Sequence, residues 1–151
     1  MGLMQIPRRV DYGLRATIYL STQEPNRSCS IAEIAAQQGV PRKFLEKILQ
    51  DLIRSRLVKS KRGPYGGYSL ARAPRQISFQ DVIEALEGPV AVNVCMDQHQ
   101  RCDHLPRCVM MGVWNEVQRN VTEIFARTTL ADLRPTPCQA LMSSISLSSA
   151  A

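Results

Sequence analysis

The 151-residue sequence predicts a mainly α-helical fold with one small β-hairpin, ending in a long C-terminal helix. Three observations carry this. Apolar residues recur at helical spacing in five separate stretches. Between the third and fourth of these, Leu57 to Leu70 replaces that rhythm with two strand-like runs around a Gly/Pro-rich turn. A hydrophobic content of 44% supports a packed core rather than disorder.

Arg9 to Leu20 is the first helix, with Val10, Leu14, Thr17 and Ile18 on its inner face. The polar stretch Glu24 to Ser28 ends it. Ser30 and Glu33 have capping-box spacing at the start of a short second helix, whose inner residues are Ile31, Ile34 and Ala35. Gly39 supplies its left-handed end, and Pro41 leads into a third helix with Phe44, Leu45, Ile48, Leu49, Leu52 and Ile53 directed inward. Two helices joined by a short Gly-containing turn match a helix-turn-helix. The basic hairpin that follows, with strands at Leu57–Ser60 and Tyr68–Leu70, completes a winged helix-turn-helix. Ser78 and Asp81 cap a fourth helix carrying Phe79, Val82, Ile83 and Leu86, which Gly88-Pro89 stops.

The last helix is expected from about Pro106 to Arg127. Val113, Val117, Val121 and Ile124 form a narrow seam of the kind two helices share, widened by Met110, Met111, Trp114 and Phe125. The expected organisation is a DNA-binding domain at 1–88, a cysteine-rich loop at 89–104, a dimerisation helix at 105–133 and a flexible tail at 134–151. No apolar run approaches the roughly 18 residues that a membrane span requires. Met1 to Arg9 lacks the apolar stretch of a secretory signal, so a cytoplasmic protein with no membrane partner is expected.

The net charge of +6 is unevenly divided. Residues 1–75 carry 14 Lys+Arg against 5 Asp+Glu, whereas residues 76–151 carry 5 against 8. A basic first half is the footprint of a polyanion binder, and the winged helix points to duplex DNA. Arg42, Lys43, Glu46 and Lys47 occupy the start of the third helix, where a recognition helix meets base edges. Phosphate repels an acidic side chain, so Glu46 belongs there if it accepts from a cytosine amino group or excludes wrong sequences. The alternative is a solvated face with Glu46 paired to Gln50 or a lysine. Lys59, Lys61 and Arg62 in the wing suit phosphate or minor-groove contact. Arg8, Arg9 and Arg15 fit backbone contact and plain solvated charge equally well. No nucleophile–base constellation or phosphate loop is present, which argues against an enzyme.

Five cysteines in a chain without a secretory signal argue for metal binding or thiol chemistry rather than disulfides. Cys95, Cys102 and Cys108 are separated by six and then five residues, so a flexible loop can bring three thiolates to one centre. This is not the paired spacing of a zinc ribbon. Arg101, Arg107 and the start of the last helix offer an electropositive setting for thiolates. On spacing alone, iron–sulfur ligation, structural zinc and free thiols all remain open. Cys29 precedes a helix cap and is expected to pack; Cys138 lies in the tail.

Val10-Asp-Tyr-Gly-Leu-Arg15, Phe44-Leu-Glu-Lys-Ile48, Arg62-Gly-Pro-Tyr-Gly-Gly-Tyr68 and the three cysteines together resemble the Rrf2 family of bacterial winged-helix regulators. Its iron–sulfur members include IscR, NsrR and RirA, and the resemblance spans residues 4–133. It implies a homodimer held by the long helix and bound to a pseudo-palindromic operator, acting as a repressor. It also implies an iron–sulfur cluster, 2Fe–2S or 4Fe–4S, on Cys95, Cys102 and Cys108, sensing nitric oxide, redox or iron status. Val109, Met110 and Met111 follow Cys108, so the histidine some members use as fourth ligand is absent. Asp11 falls where NsrR-type members carry an aspartate ligand from the partner subunit. Asp11 also sits in a helix first turn four residues before Arg15, which suits dipole and ion-pair roles. His99 and His104 are the rival ligands. Direct thiol oxidation or a structural zinc is the alternative mode of sensing. A redox or metal carrier using the winged helix for protein contacts is a further alternative, which the basic first half disfavours.

Overall fold

The computed structural model describes residues 6–97 and 102–133. Its elements are α1 (Arg8–Ser21), α2 (Ile31–Gln38), α3 (Arg42–Arg54), β1 (Val58–Lys61), β2 (Gly67–Leu70), α4 (Phe79–Glu87) and α5 (Met111–Arg127). The expected order of helices and hairpin is thus present, and the fold is mainly α with a two-stranded wing.

α1 is the hub and packs against α2, α3 and α4. Val10, Leu14, Ala16 and Leu20 are buried along it. Thr17 is buried too, its hydroxyl donating to the carbonyls of Gly13 and Leu14 at 3.0 Å, so the polar group costs little there. Asp51 on α3 is buried and receives Arg9 from α1 and Arg54 at 2.7 Å, while Arg9 also approaches Glu87 of α4 at 3.6 Å. One guanidinium therefore ties three helices together. It follows that Arg9 is a structural residue rather than a free surface cation.

Ser30 accepts the Glu33 amide at 3.1 Å, as its cap position requires. Glu33 chiefly serves another purpose, accepting the Tyr19 hydroxyl at 2.8 Å and Arg27 at 2.7 Å. Gly39 takes φ +62°, the left-handed end that turns the chain into α3. The wing pairs Val58 with Leu70 and Lys61 with Gly67, antiparallel. Cys29, which is fully buried, extends it: Cys29 and Tyr68 exchange backbone hydrogen bonds at 2.9 and 2.8 Å. Gly67 makes that approach possible. A Cβ at this position would lie 2.4 Å from the Cys29 carbonyl oxygen.

The structure corrects two expectations. Phe44 is not inward but 64% exposed, because α1, α2 and α4 pack against α3 where Leu45, Ile48, Leu49 and Leu52 are buried. The last helix does not start near Pro106. A single 3-10 turn, Leu105–Arg107, is followed by extended backbone at Cys108, and α5 begins only at Met111. The far end of the helix is where the sequence puts it. It stops at Arg127, and the next residues return to α4: Phe79 N–H donates to Thr128 at 2.8 Å, Leu130 N–H to Ile77 at 2.9 Å, and Leu130 is 1% exposed. Asp132 caps this return by accepting from the Thr129 amide and hydroxyl. The 134–151 tail, Cys138, His99 and Arg101 lie outside the described residues.

Candidate functional site

Arg42, Lys43, Glu46 and Lys47 all stand exposed on the first turns of α3. Arg42 Nε lies 3.5 Å from Glu46 Oε1, so the partner of Glu46 is this arginine rather than Gln50 or a lysine. Both side chains are more than half exposed, which makes the pair weak and easily exchanged for contacts to DNA. Lys59, Lys61 and Arg62 are exposed on β1 and the turn after it. Lys61 and Arg62 stand at the wing tip, beside Tyr65 at 89% exposure. Lys59 instead borders a cleft of about 580 Å³ behind the wing, together with Arg27 and Arg72.

Cys29 stands apart from this surface. Burial is the main reason its thiol is pushed above the ordinary cysteine range, with the Glu33 carboxylate adding to it. It stays protonated and packs, as expected from its position before a helix cap.

Cys95, Cys102 and Cys108 are half-buried free thiols that line one cavity of about 180 Å³. His104, Leu105, Met110, Met111 and Trp114 share its walls. The loop reaches this place for a definite reason. Gln118, in the middle of α5, donates to the Val90 carbonyl at 2.6 Å and accepts the Val92 amide at 2.9 Å. That clamp holds the start of the cysteine loop against the helix. Sequence reasoning missed Gln118; the only signal was an uncharged polar residue directly beside the Val117 seam position. Cys108 comes close to the start of α5 without capping it: the Met111 amide points to the Cys108 carbonyl at 3.4 Å.

Asp11 does not line this cavity. It lies on α1, 45% exposed, with Arg15 Nε 3.0 Å from its carboxylate. Within one chain, therefore, His104 is near the thiols and Asp11 is not.

The donor set fits an iron–sulfur group. Three soft sulfur donors face one partly apolar space, and an adjacent imidazole or an oxygen from outside can fill a fourth position. Among the described residues, no three Cys, His, Asp or Glu side chains are gathered tightly enough to hold a single metal ion.

A helix-turn-helix with a basic leading end, flanked by a basic hairpin, defines a winged-helix DNA-binding regulator of transcription. Residues 6–135 match the family model Rrf2, described as an iron-dependent transcriptional regulator. The chain belongs to the Rrf2 family. A Mycobacterium tuberculosis protein named as an HTH-type transcriptional regulator is 33% identical over 130 residues, covering 86% of this chain and 81% of that one. The protein rrf2 of Nitratidesulfovibrio vulgaris is 31% identical over 130 residues, covering 86% and 87%. Among solved structures, CymR of B. subtilis, the global cysteine regulator, superposes with a TM-score of 0.71 at 31% identity, covering 85% of this chain and 95% of that one. IscR of T. potens gives a TM-score of 0.70 at 32% identity, covering 85% of each. Like these relatives, the chain is a transcription regulator and not an enzyme. Among the described residues no helix is long and apolar enough to cross a membrane.

Proposed function

We propose that this chain is a homodimeric repressor whose operator affinity is set by an iron–sulfur cluster on Cys95, Cys102 and Cys108. The observation that carries the reading is the convergence of all three thiols on one cavity at the head of α5. When bound, the group supplies an iron centre that reacts with nitric oxide or oxidants and responds to iron supply.

The remaining steps belong to the chain's own residues. Val113 and Ile124 expose the apolar seam of α5, at 63% and 48%, to a second copy. Half-exposed Asp11 of that second copy is the fourth ligand we favour over His104, and an oxygen donor is readily displaced beside three thiolates. His99 lies outside the described residues. Gln118 links the cysteine loop to α5. Phe125 of α5 meets Phe79 of α4 with ring centroids 5.1 Å apart, and α4 packs on α1 and α3. A change at the thiols therefore has a contiguous packed route to the recognition helix. It alters operator affinity to the extent that the two states make different contacts. Arg42, Lys43, Glu46 and Lys47 meet the major groove, with Lys59, Lys61 and Arg62 on the wing supplying phosphate or minor-groove contacts.

The test is the visible spectrum together with iron, sulfide and zinc content of protein purified without oxygen. Matching iron and sulfide with visible absorbance is the expected result. A colourless protein with stoichiometric zinc, or with neither metal, overturns the cluster and leaves thiol chemistry or a structural site.

A further inference from the structure

Phe44 is the one large apolar side chain on the exposed leading face of α3, between Lys43 and Lys47. Its neighbours Leu45, Ile48 and Leu49 are at most 2% exposed, so the core is closed without it. With Tyr12, Pro41 and Ile48 it lines a recess of about 600 Å³ between α1 and α3, which Arg8, Lys43 and Lys47 also border. Arg9 on the same rim is held by Asp51, whereas Arg8, Lys43 and Lys47 have no carboxylate partner among the described residues.

An apolar recess bordered by three free cations suits a ligand with an apolar projection set between anionic groups. In duplex DNA, the major-groove edge of thymine supplies that projection as its C5-methyl group, and the flanking phosphates supply the anions. We propose that Phe44 is a specificity-determining residue that reads a thymine methyl, while Lys43, Lys47 and Arg8 hold the adjoining phosphates. This rests on α3 being the recognition helix.

The experiment begins by selecting a preferred duplex from a random library with the full-length wild-type protein. Each thymine of a half-site is then replaced by deoxyuridine, which removes only the methyl, and binding is measured by anisotropy for wild type and Phe44→Ala. At one thymine per half-site, wild type is expected to lose about fourfold in affinity, the value of one buried methyl. Phe44→Ala should lose nothing further at that base, so the two changes are coupled. Phe44→Leu should keep part of the methyl sensitivity. If every deoxyuridine duplex affects wild type and Phe44→Ala alike, the thymine assignment is overturned while DNA binding stands. If Phe44→Ala shifts the oligomeric state instead, the recess is an interface between copies and the proposal falls. If wild type selects no duplex and shows no salt-dependent DNA binding, the reading of α3 falls with it.

Discussion

The two halves of the chain use their apolar residues in opposite ways. Every buried hydrophobic side chain except Leu130 lies between Val10 and Leu86. α5, despite Val113, Val117, Val121, Ile124 and Phe125, buries none of its residues fully. The first half closes a core within one copy. The second half presents a seam and a cavity that, on our reading, a second copy and a cluster complete. Damage to the first half should therefore appear as lost stability, and damage to the second as lost assembly or lost iron.

The largest expected effect is at the cavity. Cys102→Ala should abolish iron and sulfide uptake while leaving a folded dimer, as judged by metal analysis and sedimentation. Normal iron content in that variant would remove Cys102 from the ligand set. Next is the seam. Val113→Glu places a charge on a side chain that is 63% exposed in one copy, so the fold should survive. Self-association should weaken by at least about thirtyfold, ~2 kcal/mol, as at an interface hot spot. An unchanged dimer would move the interface off α5.

In the first half, Asp51→Ala removes a buried carboxylate from between Arg9 and Arg54. Charge-assisted contacts of this sort are worth about 1.5–3 kcal/mol, so thermal unfolding should shift down clearly while the dimer is retained. Gln118→Ala tests the link between the halves. Two hydrogen bonds to the Val90–Val92 backbone disappear, worth about 1 kcal/mol each, and amide exchange should accelerate at Val92 before it does in α1.

The smallest effect is electrostatic. The Tyr19 hydroxyl bond is the main reason the Glu33 carboxyl lies below its ordinary range, and Arg27 reinforces it. A lowered folded value means the contribution is complete above the ordinary glutamate range and is lost as pH falls through the lowered one. Tyr19→Phe should flatten that part of the acid stability curve by lowering neutral stability slightly while leaving strongly acid stability nearly unchanged. An identical acid profile would show the contact to be idle.

Much of the first half could be read directly from the sequence because its signals are local. Ser30, Gly39, Ser78 and Asp81 act on the backbone within four residues of themselves, and each occupies its expected place at a helix end. Phe44 was misread because Phe44, Leu45, Ile48 and Leu49 form an apolar band wider than the contact α1, α2 and α4 make, and periodicity cannot say which edge stays uncovered. The start of α5 was misread because Leu105, Cys108, Met111 and Trp114 recur every three residues straight across the extended backbone at Cys108. Gln118 and Leu130 act on partners 26 and 53 residues away in sequence, Val92 and Ile77, beyond the reach of any local pattern.

The sequence by itself determined the order of elements, the helix-turn-helix, the wing, the basic leading end of α3 and the candidacy of three cysteines as ligands. Those properties depend on residue type and on spacings within a helical turn or a hairpin. Only the tertiary structure decided that one cavity gathers the three thiols, that Gln118 holds their loop, that Phe44 stays outside and that the chain returns through Leu130. Each of these depends on which surfaces the packed helices leave uncovered, and that is set by contacts between segments far apart in the chain.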